Sequence, residues 1–268
     1  MIRYPVNHPE LKKYIKFFWE IHAEHMQLNH KLIPVRNIDV KFNLNDTPHY
    51  ICLGEKEYLL GDVYFSGLQD HFRKTQIKLN GKVDVLGICF FPEGLYPFLK
   101  IPLCEFRNKL LNVDELGVSP VRRIRERLLD APDVNKRLTI LEEELLALLD
   151  DKYYLPDNLR KLFQRFNQES NSLQISEFCN HYNLSARKLE RLYDKYIGIS
   201  PKTYATLNRF QDSVNHLLHN DYQKLSDIAF GNGYFDQMHF IKDFKRFAGN
   251  TPGKFIAQNN SMLQIWNF

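Results

Sequence analysis

Two stretches of this chain gather side chains suited to recognition. In the first, Ser185 is followed by Arg187, Lys188, Glu190, Arg191 and Lys195. In the second, Asp236 is followed by Gln237, Met238, Lys242, Lys245 and Arg246, with Thr251 just beyond. The spacing brings Arg187, Lys188, Glu190, Arg191 and Lys195 onto the outer face of one helix, and keeps Gln237, Met238, Ile241, Lys242 and Lys245 off the core stripe of another. Their chemistry is donation to and acceptance from an anionic, hydrogen-bonding surface. Catalytic signatures are missing: the sequence has no G-x-x-x-x-G-K-[ST], G-x-G-x-x-G or G-x-S-x-G. Cys52, Cys89, Cys104 and Cys179 form no C-x-x-C pair and read as reduced thiols of a cytoplasmic protein. His22, His25 and His30, and the pair His216 and His219, fall short of a three- or four-ligand metal set. We expect no enzyme activity, no metal and no cofactor.

Helices with tight polar breaks must carry these faces. Leu159–Asn167 and Leu173–His181 read as helices. A break at Tyr182-Asn183-Leu184 follows, and Ser185 caps a helix over Ala186–Tyr196. Leu189, Leu192, Tyr193 and Tyr196 form the inner stripe of that helix. Gly198 ends it, and Ser200-Pro201 opens a longer helix to about Leu218. The pattern then repeats. Leu225–Phe230 is a short helix, Gly231-Asn232-Gly233 a turn requiring positive φ, and Asp236 caps a helix ending near Phe247 with Phe240, Phe244 and Phe247 inward. Asn250-Thr251-Pro252 starts a last short helix. A short helix, a tight turn and a second helix with a basic outer face make a helix-turn-helix. The long helix spans roughly 27 Å. With the width of the packed units, that suits major-groove segments about 34 Å apart on one face of duplex DNA.

The stretch from Leu159 to Gln258 resembles the AraC/XylS-type transcription regulators. The residues that carry the likeness are Leu184-Ser185, Leu189 to Tyr193 and Gly198-Ile199-Ser200-Pro201, then Ile228-Ala229, Gly233 to Gln237 and Phe240 to Pro252. The resemblance implies base reading by Arg187, Glu190 and Arg191, and by Gln237, Met238 and Lys242 beside Asp236. It implies phosphate contacts at Lys195, Lys245 and Arg246, with Ser185 and Thr251 at phosphate-favouring helix starts. Lys188 lies on the same outer face. Lys242 stands where the family most often has Arg, and Asp243 is an acid beside the groove-facing helix.

Charge is distributed accordingly. Net charge is +4, and residues 155–268 hold 14 Lys and Arg against 10 Asp and Glu, so all the excess lies there. Ahead of this domain the chain is aromatic and turn-rich. We expect a helix over Pro9–Phe18, then strands at Lys31–Val35, Ile38–Leu44, His49–Leu53, Glu57–Leu60, Phe72–Leu79 and Val83–Phe91. Asn80-Gly81 gives a hairpin signal. The expected fold class is α+β: a small antiparallel β-barrel or sandwich over residues 1–115, helices over 116–154, and an all-α domain of two helix-turn-helix units over 155–260. Residues 151–158 read as a boundary. Tyr4 to Leu111 resembles the sensing or dimerising domains that precede such modules, through Phe17-Phe18-Trp19-Glu20, Ile33-Pro34 and Leu86 to Gly94. Its candidate effector-pocket residues are Phe17, Trp19, Phe42, Tyr50, Phe90 and Phe91.

In the connecting region Ser119 reads as an N-cap before Pro120. Leu138, Leu141, Leu145 and Leu148 form a short a/d seam, open to packing on the chain's own body or on a second copy. No run of 18 apolar residues exists, so no membrane span is expected. The expected partners are double-stranded DNA, RNA polymerase, a small-molecule effector and a second copy. Two other readings stay open: control by protein–protein interaction without a ligand, and an enzymatic barrel fused to a DNA-binding domain.

Overall fold

The computed structural model describes residues 1–116, 120–149, 153–169, 174–219 and 224–258. The proposed cap at Ser119, the helix start at Leu173 and the boundary residues Asp151 and Lys152 lie outside them.

The N-terminal domain is one eight-stranded antiparallel sheet. Its strands are β1 (Ile2–Tyr4), β2 (Ile15–Lys31), β3 (Ile38–Asn43), β4 (Tyr50–Leu53), β5 (Lys56–Leu59), β6 (Val63–Ser66), β7 (Thr75–Phe90) and β8 (Leu110–Asn112). They run in the order β1-β2-β7-β3-β6-β8, with β4 on β7 and β5 beyond it. The axis is the long β2–β7 pair, which runs from Ile15 opposite Phe90 to Lys31 opposite Gln76 with register shifts between Ile15 and Phe17 and between Ala23 and Met26.

Three local expectations are corrected. Pro9–Phe18 is not a helix: Leu11–Lys13 is one 3-10 turn and β2 begins at Ile15. Leu11, Tyr14, Ile15 and Phe18 are all buried, as the spacing requires, but a turn and a strand together produce that stripe. The aromatic, β-branched run from Ile15 finds a long-range strand partner, and that pairing overrides helical periodicity. Asn80-Gly81 makes no hairpin. Residues on both sides of it pair with β2, so β7 runs through, and the irregularity sits opposite, between Ala23 and Met26. Lys31–Val35 is not a strand, because the chain leaves the sheet after Lys31 toward Pro34, which has no N–H to give a ladder. The strand β6 had no signal that the sequence reading used.

Three short elements return the chain across the sheet: α1 (Tyr96–Leu99), a 3-10 turn at Leu103–Phe106 and another at Val113–Leu116. Then come α2 (Pro120–Leu129) and α3 (Val134–Leu148). The α3 helix is capped by Asp133, which accepts from the Lys136 amide at 2.9 Å. Its seam faces inward: Leu138, Leu141 and Leu145 are buried in the chain's main core and Leu148 packs on it. That seam is therefore filled by the chain itself and is not open to a second copy. Arg137 holds Asp84 of β7 through two bonds of 2.9 and 3.0 Å.

The C-terminal domain is all helical: α4 (Asp157–Glu169), α5 (Ile175–His181), α6 (Ala186–Tyr196), α7 (Pro201–His219), α8 (Leu225–Gly231), α9 (Gln237–Ala248) and α10 (Pro252–Gln258). It has two aromatic cores. The first joins Phe178 to Phe166, Phe166 to Tyr193 and Tyr193 to Tyr204, with ring centroids 5.0, 5.1 and 5.8 Å apart. The second joins Phe210, Phe240, Phe244 and Phe255 at 5.2 to 5.6 Å. The 19-residue α7, about 28 Å long, supplies Tyr204 to one core and Phe210 to the other. Each buried ring contributes about 1.5–3 kcal/mol, so α7 is welded into both units.

Candidate nucleic-acid interface

Each unit is built the same way. In the first, Glu177 accepts from the Gln174 amide at 3.2 Å and closes the start of α5. Asn183 takes φ +50° in the turn. Ser185 then accepts from the Lys188 amide at 3.2 Å and caps α6. In the second, Asp227 accepts from the Lys224 amide at 2.8 Å. Gly233 supplies the positive φ of the turn, whereas Gly231 still belongs to α8 and Asn232 has negative φ. Asp236 accepts from the His239 amide at 2.7 Å and caps α9. Such caps are worth about 1 kcal/mol each, and here they fix where each outward face begins.

Those faces stand in solvent. Arg187, Lys188, Glu190, Arg191 and Lys195 are exposed on α6. Gln237, Met238, Lys242, Lys245 and Arg246 are exposed on α9, with Ser185 and Asp236 exposed at the caps and Thr251 half-buried before α10. Asp243 turns away from this face toward His239 and Arg209, at 3.3 and 4.0 Å. Burial of Tyr193, Tyr204 and Tyr234 pushes their hydroxyls up, so the cores beneath the two faces stay uncharged. The histidines of this domain are occupied structurally: His216 Nδ1 lies 3.0 Å from the Asn232 amide and His219 Nδ1 lies 2.8 Å from the Asn215 carbonyl. Among the described residues no three His, Cys, Asp or Glu cluster to hold a metal.

The N-terminal domain grips this module at three points. Arg107 donates to the Gly198 carbonyl at 2.8 Å and to Asp194 at 2.9 Å. Arg36 pairs with Asp212 of α7 at 2.8 Å, and Gln211 donates to the Pro34 carbonyl at 3.1 Å. The Phe72 amide donates to the Arg246 carbonyl at 2.7 Å, and Arg246 Nε donates to the Asp70 carbonyl at 3.0 Å. Glycines follow α6 and α9 at these grips. Gly198 has φ +94°, and a Cβ there would sit 2.5 Å from the Leu103 carbonyl oxygen. Gly249 has φ +71°, and a Cβ there would sit 2.5 Å from the Phe72 ring. Two of the cations expected at phosphate thus have protein partners: Lys195 lies over the Tyr96 and Tyr196 rings, and Arg246 bonds the N-terminal domain.

Sequence reasoning missed Phe230 and Phe235. They are 64% and 87% exposed, beside Met238 at 73%. An aromatic residue one position before a cap reads as a staple onto the helix. Here Tyr234 is buried instead and Phe235 faces water.

The six effector-pocket candidates do not converge. Phe42 and Phe90 lie in the main core, and Trp19 and Phe17 belong to a separate cluster with Val83 and Val85. Tyr50 is half-buried on β4, and Phe91 is half-buried under Lys16. A cavity of about 210 Å³ lies elsewhere, between β4, β8 and the loop before β7. Ile51, Leu53 and Leu110 give it apolar walls, and Arg73 and Lys109 stand at it with no acidic residue among its lining. Thr75 Oγ1 and Gln69 Oε1 are buried there without hydrogen-bond partners.

Residues 178–258 match a family model described as a helix-turn-helix domain, which spans both units. Residues 6–112 match a domain of unknown function, DUF6597. The Msm operon regulatory protein of Streptococcus mutans is 25% identical over 160 residues, 57% of this chain and 56% of that protein. The raffinose operon transcriptional regulatory protein RafR of Pediococcus pentosaceus is 29% identical over 163 residues, 59% and 50% of the two chains.

This chain carries a helix-turn-helix domain behind an N-terminal domain.

The HTH-type transcriptional activator RhaS of Escherichia coli is 28% identical over 144 residues, half of each protein. The chain spans about half the length of these curated relatives. Among solved structures, ToxT from Vibrio cholerae aligns with 90% of this chain and 98% of its own, at 11% identity and a TM-score of 0.46. Within the helix-turn-helix domain, α6 and α9 are the second helices of their units, and their caps bring Arg187 and Met238 to equivalent positions, each two residues past its cap.

Proposed function

We propose that this protein is a sequence-specific DNA-binding transcription regulator, acting as an activator, whose two recognition helices enter adjacent major-groove segments. One observation carries this reading: two capped helix pairs, matched together by the helix-turn-helix model, hold α6 and α9 with their basic faces in solvent. Arg187 and Arg191 suit guanine O6 and N7, Glu190 suits cytosine N4, and Gln237 suits adenine. Lys188, Lys242 and Lys245 supply phosphate contacts. The activator sign rests on the printed name of the RhaS relative. Contact with RNA polymerase and a cytoplasmic location belong to the same reading. No described helix is long and apolar enough to cross a membrane. The test is binding of the full chain to duplexes recovered from a random library. Affinity should fall steeply and linearly in log–log form with salt, because each neutralised phosphate releases counterion. Recovery of no duplex, or affinity indifferent to salt, would sink the reading.

The cavity at Thr75 supports control by a small-molecule effector. The orphaned Thr75 hydroxyl can donate, and with apolar walls, two cations and no acid in the lining it suits a small anion with an apolar body, while the orphaned Gln69 Oε1 accepts and calls for a hydroxyl or N–H on the same ligand. The loop that lends Gln69 and Arg73 to the cavity is also the loop whose Asp70 and Phe72 hold the end of α9. Occupancy would therefore reach the second recognition helix through the five residues from Gln69 to Arg73. Screening small aromatic and aliphatic carboxylates against their neutral amides should raise the melting temperature for the acids only. Wild-type response unchanged in a Thr75→Val, Arg73→Ala variant would show binding elsewhere.

A further inference from the structure

The two recognition helices present different chemistry at the same positions. Counting from the caps Ser185 and Asp236, the first helix places Arg187, Glu190, Arg191 and Asp194 along its outward stripe, all charged. The second places Met238, Lys242 and Lys245 there, while Ile241, at the position of Glu190, is half-buried against the core. Just before the second cap stands Phe235, where the first unit has the half-buried Leu184. Phe235 and Met238 are among the most exposed large apolar side chains of the described residues. Neither supports the fold, since Tyr234, Phe240 and Phe244 fill the core beneath them. Large apolar groups left in water at the tip of a groove-entering helix gain by meeting apolar surface. In the major groove the thymine 5-methyl is the apolar group that a base edge offers. The neighbouring Lys242 and Lys245 match this occupant by charge, since they would meet the flanking phosphates.

We propose that the second unit reads thymine through its 5-methyl groups, with Phe235 and Met238 as the reading side chains, while the first unit reads by hydrogen bonds. The operator is then asymmetric: guanine and cytosine in one half-site, thymine-rich in the other. This inference rests on the DNA-binding reading above.

The test replaces thymine by deoxyuridine, which removes only the methyl, in each half-site of a recovered duplex in turn. In the half-site under the second unit, affinity falls about four-fold per contacted methyl, the worth of one buried methyl-sized group. In the other half-site it is nearly unchanged. A Phe235→Ala, Met238→Ala variant melts at the wild-type temperature, binds the thymine duplex more weakly than the wild type does, and no longer distinguishes thymine from deoxyuridine. Equal affinity of the wild type for both duplexes overturns the proposal while leaving DNA binding intact, and hands the patch to a protein partner. Persistent methyl sensitivity in the variant overturns the assignment to these side chains. Absence of any bound duplex fails the DNA-binding reading itself.

Discussion

Phe244→Ala is expected to destabilise the second helix-turn-helix unit by about 3–5 kcal/mol, the usual cost of truncating a buried aromatic ring. Phe244 is fully buried and meets Phe210 at 5.2 Å, Phe240 at 5.6 Å and Phe255 at 5.4 Å. These partners come from α7, α9 and α10, so the ring joins three helices. The lost ring leaves a cavity that three separate elements would have to move together to fill. Hydrogen exchange should locate the loss: amides of α8, α9 and α10 should open first, while those of α5 and α6 stay protected by the Phe166–Phe178–Tyr193 core. Denaturant unfolding gives the magnitude. A change below about 1 kcal/mol, or equal loss of protection in both units, would contradict the division of the domain into two cores sharing α7.

The second large effect is on recognition. Arg187→Ala with Arg191→Ala removes two exposed guanidinium groups from α6 and nothing from its core, which Leu189, Tyr193 and Tyr196 hold. Each bidentate arginine–guanine contact is worth about 1–3 kcal/mol of discrimination, so the pair should cost roughly a hundred-fold or more in affinity for the preferred duplex. Base preference should relax in one half-site and persist in the other. Truncating Lys195 should cost less, because its ammonium already lies over the Tyr96 and Tyr196 rings and gives up that contact to reach phosphate. Isothermal or anisotropy titrations against matched and single-mismatch duplexes separate these effects. Uniform loss across all sequences would mean that both arginines contact only phosphate.

The helical domain was legible because its signals are local. Caps at Ser185 and Asp236, the glycine at 198 and the 3.6-residue burial period all act within one helix and its ends. They place α6 at Ala186–Tyr196 in both sequence and structure. The sheet was less legible because its determinants are distant. Ile15 becomes strand because it faces Phe90, and Gly81 joins no hairpin because it faces Met26. Nothing within a few residues of either announces that. The grips on the module are equally non-local: Arg36 with Asp212 and Asp70 with Arg246 are each separated by 176 residues. For the interface, periodicity gave the outward faces but not which apolar residues the core leaves out. Phe235 belongs to the same aromatic run as Tyr234, and only packing decides that Tyr234 goes in and Phe235 stays out.

Cleavage footprinting of the full chain on a recovered duplex tests the central claim most directly. Two protected major-groove segments on one face, centred about 10–10.5 base pairs apart, are expected, the first lost in the Arg187→Ala, Arg191→Ala protein and the second in Phe244→Ala. A single protected segment, or two whose spacing puts them on opposite faces of the helix, would contradict the account.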